Sequence, residues 1–333
     1  MTIRANKTAR KSRNFATNNC GGPLQTHCHF CHLYRQTDIM PVRFRLFLLL
    51  LLPLLGPAAT PAVAQLLLDA ACFRNDDVAV KGGVVEVYIT VSGQHLTYKR
   101  RAPKVFQAAA LVTLEAIRPD GTAAYQETIT LKPPVLRDTT AAIKNPISFQ
   151  KRLWLPAGHY TLRGQLRDQN RAASTVIVEQ PLVVEFGATK PQLSDLVLLA
   201  KPVSRSASEA NNFIRLGWTL TRAPGGLYAR GQDKLFSYAE LYNIAIGQPL
   251  VLLYRLQPVV SKIVVASVKG VAQGAEGRPT VLAAELDISK VPAGNYILTL
   301  EVRDAKNRVL ATETAPVHRN PADYAPAGAV MPR

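Results

Sequence analysis

The chain has 333 residues, 47% of them hydrophobic, and carries 40 Lys and Arg against 23 Asp and Glu, a net charge of +17. Of its four cysteines only Cys72 follows the one long apolar run, so a chain processed after that run has no intramolecular disulfide and must rest on an apolar core. The positive charge is spread along the chain without a base-stacking aromatic motif, which argues against a nucleic-acid partner.

In chain order, Met40-Pro41-Val42-Arg43-Phe44-Arg45 reads as a basic leader, Leu46 to Leu55 as an apolar stretch, and Ala62-Val63-Ala64 as a small-residue cleavage site. This is the pattern of a signal peptide at 40–64, cut near Ala64. The stretch is broken by Pro53 and ends at Gly56-Pro57, short of the roughly 20 apolar residues needed to cross a bilayer. No equal run follows, so no transmembrane helix is expected in the processed chain. Residues 1–39 precede the signal and read as a misannotated, disordered extension with Met40 as the true start. Cys28-His29-Phe30-Cys31 lies there and has zinc-ligand spacing, but it lacks a second spaced pair and stands ahead of an export signal. Cys72 is no lipidation site either, because Asp69 occupies a position where an apolar residue is required. Eight of the basic and one of the acidic residues precede residue 65, which leaves 32 against 22 and a charge of +10 on the remaining 269 residues.

Those 269 residues suffice for two domains of ordinary size. Val85, Val87 and Ile89 alternate against Glu86, Tyr88 and Thr90, the period of a strand. The cationic cluster Lys99-Arg100-Arg101 with Lys104 reads as a solvated loop, although it could touch an acidic polymer or anionic lipid. Val105 to Ile117 and Tyr125 to Leu131 read as a hairpin joined by Pro119-Asp120-Gly121. Further strands are expected at Ile147 to Leu155, Ala173 to Phe186, Leu193 to Leu199, Phe213 to Thr221, Leu235 to Ile246, Leu250 to Gln257, Ile263 to Val268, Val281 to Ile288 and Val309 to Val317.

One stretch occurs twice. Leu155-Pro156-Ala157-Gly158-His159-Tyr160-Thr161-Leu162, running on to Arg167-Asp168, recurs 136 residues later as Val291-Pro292-Ala293-Gly294-Asn295-Tyr296-Ile297-Leu298, running on to Arg303-Asp304. Each copy reads as a Pro-Ala-Gly turn feeding a strand, with the Asp and the following Asn170 or Asn307 making the next turn. The duplication predicts an all-β chain of two consecutive immunoglobulin-like β-sandwiches, at 75–187 and 193–318, with a disordered tail at 319–333. Gly158, Tyr160, Gly294 and Tyr296 are expected to be structural corners, each tyrosine hydroxyl bonding back to the backbone.

Chemistry is scarce. His95, His159 and His318 lie in separate elements, and there is no nucleophile elbow, phosphate loop or zinc-protease helix. No enzyme activity, cofactor or metal is expected. The one suggestive surface is Phe236, Tyr238, Glu240 and Tyr242, which alternation places on one face of a strand, where aromatics around a carboxylate could hold a sugar or peptide. Packing against the neighbouring domain is the competing reading.

Val85-Glu86-Val87-Tyr88, His95-Leu96-Thr97-Tyr98, the first Pro-Ala-Gly-x-Tyr with Arg167-Asp168, Leu193-Ser194-Asp195-Leu196 and Tyr238-Ala239-Glu240-Leu241-Tyr242 occur in an order that resembles the N-terminal sandwich region of exported bacterial GWxTD-domain proteins. The likeness covers about residues 80 to 260 and lacks the motif itself, since Gly217-Trp218-Thr219-Leu220-Thr221 has Leu and Thr where Thr and Asp belong. It implies an exported protein of the cell envelope. Together these readings give a non-catalytic binding or scaffolding module, periplasmic or surface-exposed, whose partner is an envelope protein or polysaccharide. A carbohydrate-binding or enzyme-accessory module is the alternative.

Overall fold

A computed structural model describes residues 66–75, 82–140, 144–171, 175–206 and 213–320. The readings for 1–39 and 40–64, and for the tail beyond Asn320, lie outside the described residues.

The first half contains β1 (Leu66–Arg74), β2 (Gly83–Val91), β3 (Lys99–Ala102), β4 (Val105–Gln107), β5 (Ala110–Ile117), β6 (Ala123–Leu131), β7 (Ile147–Leu155), β8 (Gly158–Asp168) and β9 (Thr175–Val184). One sheet has the order β1-β2-β7 and the other β6-β5-β8-β9. Val85, Val87 and Ile89 of β2 meet Val112 and Leu114 of β5 and Leu162 and Leu166 of β8 in a core between the sheets. The short ribbon β3–β4 stands apart from both sheets.

The second half contains β10 (Gln192–Leu193), β11 (Val197–Leu199), β12 (Ser204–Arg205), β13 (Ile214–Arg215), β14 (Trp218–Thr219), β15 (Leu227–Ala229), β16 (Lys234–Tyr242), β17 (Pro249–Pro258), β18 (Ala266–Gln273), β19 (Thr280–Asp287), β20 (Gly294–Asp304) and β21 (Val309–Asn320). Strand β16 pairs with β10 and β11 on one edge and with β19 on the other, and the facing sheet has the order β15-β21-β20-β17-β18. Strand β16 therefore takes the place of β2, β17 of β5, β18 of β6, β19 of β7, β20 of β8 and β21 of β9. The chain is an all-β pair of immunoglobulin-like sandwiches. Each copy of the repeated turn sits in its own core, Tyr160 in the first and Tyr296 in the second.

The repeat behaves as a repeat in atomic detail. The Tyr160 hydroxyl donates to the Pro156 carbonyl at 2.9 Å, and that of Tyr296 to Pro292 at 3.0 Å. Gly158 and Gly294 lie beneath these rings, and a Cβ on Gly294 would stand 3.3 Å from the Tyr296 ring. At the far end of each strand the aspartate organises the turn. Asp168 accepts the Asn170 and Thr97 N–H groups, and Asp304 those of Lys306 and Arg308.

Several boundaries differ from the sequence reading. The first sandwich includes Leu66–Arg74, ahead of the expected start at 75, because β1 pairs with β2 throughout this range. Strand β21 runs to Asn320, and Arg319, assigned to the tail, is buried, with its guanidinium donating to the carbonyls of Ala229 and Gln232 and to Asp233. The stretch Phe213 to Thr221 is a hairpin instead of one strand. Leu216 and Gly217 both have positive φ, 47° and 74°, which makes the two-residue turn that fits the twist of paired strands. Val105 to Ile117 is split into β4 and β5, and Leu193 to Leu199 into β10 and β11. The basic cluster is the ribbon β3–β4 with Lys104 at its turn, φ 56°. Ile263 to Val265 is an exposed loop, and strand pairing resumes only at Ala266.

Candidate functional site

The segment between β11 and β16 is an insertion without a counterpart in the first half, and its arginines reach the seam where the two sandwiches meet. A third apolar cluster lies there, built from Ala71, Phe73, Val84 and Tyr88 of the first half and Val197, Leu199, Leu220 and Tyr238 of the second. Strand β2 thus has two buried faces, Val85, Val87 and Ile89 inward and Val84, Glu86 and Tyr88 toward the seam.

Strand β16 is used the same way, which corrects the expected ligand face. Tyr238, Glu240 and Tyr242 are buried and Phe236 packs against the seam cluster. Alternation placed the four on one face correctly, but that face is closed by the first sandwich. Glu240 is fully enclosed. Its Oε1 accepts Arg215 Nε at 2.5 Å and the Tyr238 hydroxyl at 2.9 Å, while Oε2 accepts Arg215 Nη2 at 2.9 Å and the Tyr242 hydroxyl at 2.7 Å. Four donors on two oxygens satisfy the carboxylate without water. The Arg215 guanidinium also lies 3.9 Å over the Phe73 ring, and burial, which by itself would lower its pKa, is outweighed by Glu240, so the group is held above its ordinary value. Burial pushes the Tyr238 and Tyr242 hydroxyls up as well, and both stay protonated donors.

The first half contributes a matching carboxylate. Glu86 accepts Arg152 Nε at 2.8 Å, Gln150 Nε2 at 3.1 Å and the Tyr88 hydroxyl. Arg152 then donates across the seam to the Ile214 carbonyl at 2.5 Å. Arg222 stacks 4.1 Å over Tyr88 and pairs with Asp69, and Arg74 stacks 4.4 Å over Tyr242. The backbones also join, since the Cys72 N–H donates to Asp195 Oδ2 at 2.7 Å and the Asp195 N–H donates to the Cys72 carbonyl at 3.1 Å. Burial first, then the neighbouring Asp195, drives the Cys72 thiol far up, and such a thiol is no nucleophile at neutral pH.

Where the seam opens there is a cleft of about 340 Å³. Leu67, Phe213, Leu220 and Pro224 give it an apolar wall, and Thr90, Ser148, Thr219 and Thr221 supply hydroxyls. The Asp69–Arg222 pair on Tyr88 forms part of the lining, and Arg222 Nε and Nη1 are buried without a partner among the described residues. Sequence reasoning missed this site because its residues come from β1, β2, β7 and the insertion. The available signal was Val84 and Tyr88 on the nominally polar face of β2.

His95 Nδ1 meets Ser92 Oγ at 3.0 Å inside one short turn, and His318 Nδ1 meets Asn295 Oδ1 at 2.8 Å. Among the described residues no group of three or more His, Cys, Asp or Glu is placed to hold a metal ion, and no helix is long and apolar enough to cross a membrane.

Fold and seam together define a class, a tandem β-sandwich protein whose two modules share a joint of apolar side chains and buried ion pairs. No family model and no curated protein matches the chain. Among solved structures it is similar to the fibronectin(III)-like modules of CbhA from Clostridium thermocellum, at 13% identity over 76% of this chain and 94% of that one, with a TM-score of 0.20. It is also similar to a tetra-tandem repeat in the extending region of a large adhesion protein, at 10% identity over 79% and 68%, TM-score 0.22. A third is CBD12 from CALX1.2, at 11% identity over 66% and 75%, TM-score 0.18.

Proposed function

We propose that the chain is an exported, non-catalytic binding protein of the cell envelope that holds its partner at the cleft between its two sandwiches. The observation that carries this reading is the cleft itself: an apolar wall ringed by hydroxyls, at a joint whose ion pairs and backbone bonds fix the two modules against each other. A preformed apolar concavity with a few placed polar groups is the usual form of a binding site. Rigid joining lowers the ordering cost of binding across two modules. The exported location rests on the signal pattern at 40–64.

The test is capture from the envelope fraction by the purified chain and by its Leu67→Glu/Phe213→Glu variant. Both residues are more than a third exposed at the cleft, so the variant should fold with an unchanged thermal transition. A partner held by the parent chain and lost by the variant is the expected result. Equal capture by both places the binding elsewhere, and retention on a polysaccharide matrix that the variant keeps would favour the accessory-module reading.

A further inference from the structure

The loop between β17 and β18 carries five exposed aliphatic side chains, among them Val260, the most exposed large hydrophobic of the described residues. Val259, Val260, Ile263, Val264 and Val265 are all exposed, Val260 at 96% and Ile263 at 71%. These five follow one another around a single hairpin tip with Lys262 among them and no carboxylate between 259 and 265. A convex point of this kind is not a groove that receives a peptide. It must itself enter something apolar or remain in water at a cost set by its area.

Part of the tip's backbone is bonded within the protein. Val259 N–H donates to the Asn295 carbonyl, Ser261 N–H to Pro258, Ile263 N–H to Ser261 Oγ and Val265 N–H to Leu256, while the Lys262 carbonyl accepts from Gln257 Nε2 at 2.6 Å. Each such bond removes a backbone group that would otherwise lose water when the loop enters a lipid interface.

A second, independent feature lies on the same side of the molecule. Along β1, Asp69 meets Arg222, which bridges to Leu199 opposite Phe236, whereas Arg74 meets Tyr242 at the other end of β16. Strands β1 and β16 therefore run in the same direction. The end of the first sandwich beyond Leu66 and Val91, which bears the ribbon β3–β4, is then on the side where β16 begins and β17 ends, which is the side of the tip. That end of the first sandwich is strongly basic. Lys99, Arg100, Arg101, Lys104, Lys132 and Arg137 are all exposed there. Of the nearby acids, Asp168 is buried and bonded to backbone, and Asp138 is engaged by Thr140.

We propose that this side of the molecule docks on an anionic lipid bilayer, with the 259–265 tip seated among the acyl chains and the basic ribbon on the headgroups. Apolar insertion with surrounding positive charge is the combination that holds a peripheral protein to such a surface. The interaction is separate from the cleft, so either can fail without the other.

The experiment is cosedimentation of the purified chain with vesicles rich in phosphatidylglycerol and with phosphatidylcholine vesicles. Binding should be about tenfold or more tighter to the anionic vesicles and should weaken with added salt. Val260→Glu/Ile263→Glu should lose binding by about tenfold with an unchanged thermal transition. Lys99→Glu/Arg100→Glu/Arg101→Glu should weaken binding and flatten its salt dependence. Absence of binding to anionic vesicles overturns the proposal. So does binding that survives the tip variant and is displaced by heparin, which would make the surface a polyanion site. Self-association abolished by the tip variant would also overturn it, by assigning the tip to a second copy of the chain.

Discussion

Three buried tyrosines show how much one hydroxyl decides. Those of Tyr160 and Tyr296 reach a carbonyl four residues back, whereas that of Tyr254, inside the second core, finds no acceptor among the described residues. A buried hydroxyl with a partner contributes about 1 kcal/mol, and one without a partner carries a desolvation penalty of about 1–3 kcal/mol. Tyr160→Phe and Tyr296→Phe should each lose about 1 kcal/mol in denaturant unfolding, while Tyr254→Phe should leave stability equal or higher. The two corners were legible in the sequence because donor and acceptor sit within one repeated motif. The bonds of Tyr238 and Tyr242 to Glu240 are equally local, but their meaning was not legible, since the Arg215 that completes the site belongs to a different element.

At the scale of elements, alternation located the strands and left open what covers each face. Val85, Val87 and Ile89 of β2 are buried in the first core, and Glu86 and Tyr88, with which they alternate, are buried too, because a second sandwich lies on them. Period-two patterning separates the two faces of a strand and does not report whether the second face meets water. The insertion supplies its own example of backbone control. Gly226 has φ 65°, and a Cβ there would stand 2.5 Å from the Pro316 carbonyl oxygen, where β15 begins its parallel pairing with β21. Gly226→Ala should destabilise the protein by about 2–3 kcal/mol, from the left-handed backbone plus the clash. Gly277→Ala is the control, with φ 63° and open space around it, and should cost about 1 kcal/mol. Thermal melts of the two variants side by side separate steric from conformational strain.

For the molecule as a whole, the seam determines whether two sandwiches unfold as one. Removing one partner of an enclosed ion pair leaves the other charged and unsatisfied, at about 3–5 kcal/mol. Arg215→Ala should therefore destabilise the protein by that amount and, by weakening the joint, resolve a single unfolding transition into two in calorimetry. A single transition with an unchanged midpoint would mean that the seam contributes nothing to stability. Glu240→Gln should be comparably destabilising, because the amide replaces one acceptor oxygen with an NH2 that faces two donors and leaves Arg215 without a countercharge.

What the sequence by itself determined is local. A Pro-Ala-Gly-x-Tyr turn, its repetition after 136 residues and the alternation around it specify two sandwiches, because turn chemistry and strand period act over a few neighbouring residues. Only the tertiary structure decided that the aromatic face of β16 is closed, that the insertion's arginines lock the joint, and that a basic ribbon and an apolar tip share one side. Each of these depends on the contact between modules, such as Asp69 with Arg222 at a separation of 153 residues, and no pattern along the chain encodes which two surfaces will exclude water from each other.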